Sequence, residues 1–350
     1  MPENIIKGVR LRGISAVVPK QVEDNASLSL LTEKQRKDII ENVGIRYRRL
    51  ASNDVTSADL CTKAAQQLLK ELGWTPDSIG VLVLVTQTPD HQVPGTATQI
   101  HARLQMRTDA LCIDINQGCA GYVYGMATIA SLMRSLGHNR GLLLVGDTIT
   151  KMISRQDSSI WPIFSDAGTA TALELSAEGE MQFRFGSKGA DFEAIMLKDG
   201  GYRNPIAEDS FVYSNISEGI SRRPDQLSMN GQAVFTFGLS TVSIEILRSL
   251  EAAGFSSSDI NHLVLHQANQ FLMDSIARKL NFPKEKVPTS LRNFGNTSCA
   301  TIPLTMVTEL SDELRESKLR LLLSGFGVGL SWGNVILETD QVVCPPIQEI

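Results

Sequence analysis

The 350-residue chain contains no apolar run approaching the roughly 18 residues that a bilayer span requires, and Met1 to Gly13 lacks the apolar core of a signal peptide. Cytoplasmic residence without membrane contact is the resulting expectation. The five cysteines, Cys61, Cys112, Cys119, Cys299 and Cys344, are odd in number and lack C-x-x-C spacing. That speaks against a disulfide framework and a zinc site, and reduced thiols fit the cytosol. Neither sign of charge dominates: 33 Lys and Arg against 38 Asp and Glu leave a net charge of −5. Nothing therefore marks a nucleic-acid-binding surface, and an acidic partner would have to find a local basic patch. With 42% hydrophobic and 20% charged residues, the chain reads as an ordinary globular protein. Its length allows two domains or one duplicated unit with ample core.

What the chain does contain is organised around Leu111-Cys112-Ile113-Asp114-Ile115-Asn116-Gln117-Gly118-Cys119-Ala120-Gly121-Tyr122. This run reads as strand, tight turn and helix, with Cys119 on the turn. The first amides of a helix lack internal partners and carry the positive end of the peptide dipoles, which favours a thiolate. A nucleophile is one reading of Cys119; a small, inert packing residue is the other. The residues that follow, from Val123 to Met133, are apolar on most sides, so the helix is expected to be buried.

Taken in order, Val9 to Val18 alternates as a strand, and Thr32 to Asn42 is charged and helical. Thr56 and Asp59 cap an amphipathic helix that Gly73 closes. Ile79 to Val85 is a β-branched run typical of a strand buried on both faces. Gly141 to Asp147 and the small-residue run Phe164 to Leu173 supply further strands, and helix and strand alternate, which gives an α/β class. From Glu178 to Met229 the periodicity fails, and loops with short strands capping a pocket are expected.

The second half repeats the first. Leu72 to Leu84 aligns without a gap on Ala253 to Leu265, an offset of 181 that carries Cys119 onto Ala300 beside Cys299, where a second helix spans Pro303 to Leu310. The halves are taken as 1–177, bearing Cys119, and 178–350. His266 follows the strand Leu263 to Leu265, and ligands of parallel sheets gather beyond the carboxyl ends of strands. The repeat thus predicts that Cys119, His266 and Asn296 converge. A dinucleotide loop at Gly325-Phe326-Gly327-Val328-Gly329 is rejected because Leu330 to Leu337 reads as a strand. A metal pair of His262 and His266 is rejected because the segment is not helical. Asp166 and Trp332 read as structural.

Gly44-Ile45-Arg46, Cys119-Ala120-Gly121, Phe164-x-Asp166, Met229-x-Gly231-x-x-Val234-Phe235, His266-Gln267-Ala268-Asn269, Gly295-Asn296-Thr297-Ser298, Gly325-Phe326-Gly327 and Trp332-Gly333 occur in this order along nearly the whole chain. The sequence resembles the thiolase-like condensing enzymes, and most closely 3-oxoacyl-(acyl-carrier-protein) synthase III. The resemblance implies two pseudo-twofold α/β halves in an αβαβα arrangement and decarboxylative Claisen condensation in fatty-acid or related biosynthesis. It makes Cys119 the acylated nucleophile, with His266 and Asn296 as enolate donors. The backbone N–H groups of Cys119 and Val328 become the oxyanion hole, and Val93, Phe164 and Phe271 pocket positions. It further implies acyl-CoA or acyl-carrier-protein and malonyl-carrier-protein as substrates with no other cofactor, an acyl carrier protein as partner, and a homodimer. Plain acyl transfer to an amine or hydroxyl, and a non-catalytic partner subunit, are the competing readings.

The chain also departs from the pattern. The tryptophan and arginine that hold the coenzyme A adenine in acetyl-primed relatives correspond to Asp38 and Asn42, and a further arginine corresponds to Ser158. The basic carrier contacts correspond to Phe271 and Thr236. Serine and phenylalanine cannot replace guanidinium or ammonium groups toward phosphate. Arg222, Arg223, Arg278 and Lys279 are substitute candidates, or simply a solvated charged face. The family's acyl-pocket phenylalanine, contributed across the dimer, corresponds to Val93; a smaller residue predicts an acyl chain longer than acetyl.

Overall fold

In the computed structural model, which describes residues 4–350, the sheet strands are β1 (Asn4–Val18), β2 (Val81–Val85), β3 (Leu111–Ile115), β4 (Arg140–Asp147), β5 (Ala167–Ser187), β6 (His262–Leu265), β7 (Leu319–Gly327), β8 (Ser331–Thr339) and β9 (Gln348–Glu349). They form one nine-stranded sheet in the order β6-β7-β8-β5-β4-β2-β3, with β1 on β5 and β9 on β1. β2 is parallel to both β3 and β4, and β6 is parallel to β7. The strand expected over Phe164 to Leu173 is the start of β5, which runs on to Ser187. Its first part pairs with β4 and its last part with β8. The aperiodic region therefore begins after residue 187 rather than at 178. Gly179, packed against the Val9 backbone where a Cβ would lie 2.1 Å from the Val9 oxygen, lets β5 and β1 continue past each other.

The main helices are α1 (Ser57–Leu72), α2 (Thr96–Leu104), α3 (Gly121–Leu136), α4 (Ser243–Ala253), α5 (Gln270–Lys279) and α6 (Thr301–Glu309). Side-chain alternation along the strands sorts them into five layers. Leu82, Leu84, Leu142 and Leu144 face α1 and α2, while Val81, Val83, Val85, Leu143 and Val145 face inward. In the second half Leu263, Leu265, Leu322 and Ile336 face α4 and α5, while Leu321, Leu323, Val335 and Leu337 face inward. Between the inward faces lie α3 and α6, with Tyr122, Met126, Ile129, Ile302, Leu304 and Met306 fully buried. Both middle helices are thus apolar all round, as the sequence of α3 requires. Residues 231–253 form a continuous helical run of 23 residues, apolar enough by composition to cross a membrane. Its Phe237, Val242, Ile246 and Leu250 are packed in the core.

The repeat is visible element by element. Gly73 (φ 64) and Gly254 (φ 70) cap α1 and α4, and short 3₁₀ turns follow at Pro76–Ser78 and Ser257–Asp259. Arg140 lies 4.4 Å over the Trp74 ring, and Arg320 lies 4.1 Å over Phe255. At the middle helices the offset falls to 180. Ala120 (φ −81, ψ −5) precedes α3 and Ala300 (φ −83, ψ −4) precedes α6, so Cys119 corresponds to Cys299 and not to Ala300. α6 begins two residues before the expected Pro303 because proline is tolerated in a first helical turn.

An added Cβ at Gly73 or Gly254 meets nothing within 4 Å, so only the left-handed backbone opposes alanine there. Gly73→Ala and Gly254→Ala should each cost about 1 kcal/mol. The double variant should be additive to within about 0.5 kcal/mol in urea unfolding.

Candidate active site

β3 delivers the chain to a turn at Gly118, after which Cys119 stands at the entrance to α3. The strand β7 crosses this turn at close quarters. A Cβ on Gly325 would lie 2.9 Å from the Cys119 carbonyl oxygen, and one on Gly327 (φ 155) would lie 2.7 Å from Cys119 Sγ. These glycines serve contact with the backbone and side chain of the turn, and β8 follows as a strand. The crossing places the Val328 backbone beside the sulfur, where the Val328 and Cys119 amides and the Ser298 hydroxyl each favour the ionised form. The two amides expected to form an oxyanion hole therefore lie on the same side of the nucleophile candidate.

Cys119, His266 and Asn296 line one cavity of about 70 Å³, with Ile163, Phe164, Val234, Phe235, Leu272 and Phe326 among its walls. Two halves of the chain supply its polar groups, as the repeat predicts. His266 leaves the end of β6, where its N–H donates to the Ser324 oxygen at 2.8 Å. Its Nδ1 lies 2.7 Å from Thr301 Oγ1 at the start of α6, and Phe326 meets its ring edge-on at a centroid distance of 5.5 Å. Asn296 is pinned by its backbone: its N–H donates to Ile163 O at 3.0 Å, and its own oxygen accepts from Ser165 N–H at 2.9 Å. Ser298, at φ 55, turns its N–H back to Asn296 Oδ1 at 2.9 Å. A backbone N–H demands an oxygen, so the Asn296 amide nitrogen is the free end.

Burial sets the protonation states. It pushes the Cys119 thiol up to about 12, against the opposing pull of the Val328 and Cys119 amides and the Ser298 hydroxyl. The resting group is a thiol, which corrects the expectation that the helix start alone would hold a thiolate. Removing an ion from water costs more than a few amide dipoles return. Burial likewise pushes His266 down to about 3, leaving a neutral imidazole at pH 7 with one N–H to give.

Other expectations separate. Phe164 lines the cavity, whereas Phe271 is 57% exposed and stacks on the wall residue Phe235 at 5.5 Å. Val93 is 80% exposed and lies outside the cavity of its own chain. Asp38, Asn42 and Ser158 share an outer groove of about 930 Å³ with Lys34, Lys37, Glu41 and Glu218. Arg222 and Arg223 are paired with Asp157 and Asp225, and Lys279 Nζ donates to the Leu239 oxygen. Asp166 is structural, accepting from Ala51 N–H and from the Thr150 N–H and hydroxyl. His262 bonds Glu313 at 2.9 Å. Sequence reasoning quoted Ser298 and Phe326 only within motifs and passed over Thr301, because a hydroxyl residue at a helix start ordinarily reads as a cap.

The profile for the C-terminal domain of 3-oxoacyl-(acyl-carrier-protein) synthase III matches residues 250–339, and that for the synthase III domain matches residues 113–189. A beta-ketoacyl-(acyl-carrier-protein) synthase III from Rhodopirellula baltica is 33% identical over 355 residues, covering 95% of this chain and 99% of the relative. The chain belongs to the synthase III family. One from Streptococcus equi subsp. equi is 30% identical, covering 94% of this chain and 98% of the relative. The crystal structure of a 3-oxoacyl-(acyl-carrier protein) synthase from Burkholderia xenovorans superposes with a TM-score of 0.93 at 35% identity, covering 100% of this chain and 99% of that one. The synthase III fold is thus shared from end to end, and the chain is a condensing enzyme.

The His266 shift has a stability consequence whose sign is fixed. Its folded value lies below its unfolded one, so between about 6.5 and about 3 the unfolded chain binds a proton that the native chain refuses. Native stability is lost over that window as pH falls. In His266→Gln the loss should be absent, so the stability difference between wild type and variant, read by denaturant unfolding at stepped pH, should shift against the wild type on acidification from 6.5.

Proposed function

We propose that the chain condenses an acyl group carried on Cys119 with a malonyl thioester, with loss of carbon dioxide. The observation that carries this reading is the convergence of one sulfur, an imidazole and a carboxamide on a single cavity, with the Val328 and Cys119 amides beside the sulfur. In the first half-reaction Cys119 Sγ attacks the carbonyl of an acyl thioester. The oxyanion rests on the Cys119 and Val328 N–H groups, the carrier C–S bond breaks, and the carrier thiol departs with the proton that Cys119 gives up. Splitting the reaction this way replaces one difficult step by two easier ones.

In the second half-reaction the malonyl carboxylate leaves as carbon dioxide, and its bonding pair passes through the α-carbon toward the thioester oxygen. The neutral His266 Nε2–H and the Asn296 amide are the donors for that oxygen. In a dry site, removing one such donor typically costs about a hundredfold or more. The α-carbon then attacks the acyl-Cys119 carbonyl, the same two amides take the charge, and collapse forms the 3-oxoacyl carrier and expels Cys119 as a thiolate, which takes up one proton from solvent to return to the resting thiol. No step calls on a cofactor.

An acyl carrier protein is the natural donor of the malonyl group, and we extend this to the priming acyl group. The groove of Asp38, Asn42, Ser158, Glu41 and Glu218 offers mixed charge where a nucleotide's phosphates would need excess cations, and Arg222 and Arg223 are already neutralised. β3 forms a half-exposed edge of the sheet, which supports a homodimer in which Val93 of a second copy reaches the acyl end of the cavity. Cytoplasmic residence accords with this carrier-dependent chemistry.

Two measurements test the reading. Release of labelled carbon dioxide from malonyl carrier protein should require an acyl-Cys119 partner for product formation, and Cys119→Ser should abolish the 3-oxoacyl product; transfer to an amine or hydroxyl without carbon dioxide would favour plain acyl transfer. Intact-mass measurement of acyl-enzyme formation should show butyryl or octanoyl thioesters reacting at least as fast as acetyl, and carrier-bound donors outpacing coenzyme A donors. Strict acetyl preference would remove the role given to Val93.

A further inference from the structure

A neutral imidazole has one N–H, so the enolate-donor role assigned to His266 requires the proton to sit on Nε2 and Nδ1 to be an acceptor. Nothing about burial selects that tautomer over the other. The selection has to come from what stands at Nδ1, and that is the Thr301 hydroxyl at 2.7 Å.

The hydroxyl owns a single proton and stands within reach of two acceptors. One is His266 Nδ1; the other is the Ser298 carbonyl oxygen at 3.1 Å. If the proton went to Ser298 O, Nδ1 would have to carry the imidazole hydrogen, and the Nε2 lone pair would face the thioester oxygen. Two negative ends would then meet in a site without water to separate them. The Ser298 oxygen, however, already accepts the Thr301 backbone N–H, so releasing the hydroxyl leaves no buried carbonyl unpaired. Thr301 Oγ1 is therefore free to donate to Nδ1. Thr301 is 1% exposed and His266 2%, so bulk solvent does not reach their contact. Phe326 packs edge-on against the imidazole on another side.

Resting on the donor role of His266 proposed above, we infer that Thr301 is a positioning residue that holds His266 as the Nε2–H tautomer for decarboxylation of the malonyl thioester. Threonine is placed for this by the fold: α6 starts at Thr301, and its first turn abuts the end of β6 at the centre of the molecule. The same turn carries Ser298, whose N–H orients Asn296. One helix start therefore orients both donors, the carboxamide through a backbone N–H and the imidazole through a side-chain hydroxyl.

The test compares Thr301→Val, which keeps the shape and removes the hydroxyl, with Thr301→Ser, which keeps the hydroxyl and removes a methyl group. Labelled carbon dioxide release from malonyl carrier protein should fall about tenfold or more in the valine variant, in kcat rather than KM, and recover to within about threefold in the serine variant. Acyl-Cys119 formation, followed by intact mass, should change less than about threefold in both. A packing role would give the opposite order, with valine the better replacement. Nitrogen-15 spectra of histidine-labelled enzyme should show a pyrrole-type Nε2 and a pyridine-type Nδ1 for His266 in the wild type. A protonated Nδ1 there overturns the inference, even if the valine variant does not fold. His266→Ala separates the two levels. If it decarboxylates as fast as wild type, the donor role itself is wrong; if it is inactive while Thr301→Val is normal, only the tautomer assignment fails.

Discussion

The contact on which the rest of the site depends is the passage of β7 over the turn that carries Cys119. Gly325 and Gly327 leave no room for a Cβ between the strand and the nucleophile's own backbone and sulfur. Because the strand lies that close, the Val328 amide acts on the sulfur, and Phe326, between the two glycines, turns its side chain against His266. A methyl group at either glycine would push the second half of the chain off the first. The two halves are not merely adjacent: the polar groups of the cavity are registered by a close backbone contact.

Dryness follows from that closeness and explains the polar groups around it. In a cavity walled by Ile163, Phe164, Val234, Phe235 and Leu272, each donor is worth more than it would be in water, and each stray charge costs more. The site accordingly holds only neutral groups at rest, a thiol, an imidazole and a carboxamide. Charge appears during turnover, at places where N–H groups already point. A deeper layer repeats the logic. The buried Asp147 carboxyl, held above the ordinary carboxylate range by burial, accepts from Thr86 Oγ1, Gln87 N–H and Cys299 Sγ. Those bonds tie the ends of β2 and β4 to the start of α6, and so fix Ser298 and Thr301.

Much of this was legible in the amino-acid string because periodicity and punctuation carry it. The helix ending at Gly73, the strand Val81–Val85, the buried helix after Cys119 and the convergence of His266 and Asn296 with it all follow from apolar spacing and an internal repeat. β5 was cut short because its second half, from Glu178 onward, is rich in polar residues; pairing with β8 and β1 overrides that local composition. The offset of 181 failed by one residue at the middle helices because the second half lacks the full strand and turn that precede α3. Thr301 and Ser298 were not legible as functional. Their roles come from where the hydroxyl and the N–H point, and a helix-start Ser or Thr ordinarily signals only a cap.

The thiol of Cys299 shows why the helix-start argument, taken alone, places too much weight on dipoles. It occupies the position in the second half that Cys119 holds in the first, before a helix entered through the same backbone angles. Burial and the nearby Asp147 carboxyl hold it well above the ordinary thiol range, and its Sγ is 3.2 Å from Asp147 Oδ2 and 3.7 Å from the Val85 oxygen. Its side chain is fully buried. Cys119 meets amide donors and a space for substrate, while Cys299 meets acceptors and packed protein. The same element is used twice in different surroundings, and the difference is supplied by β7, whose glycines pass against one sulfur and its backbone while a carboxyl group faces the other.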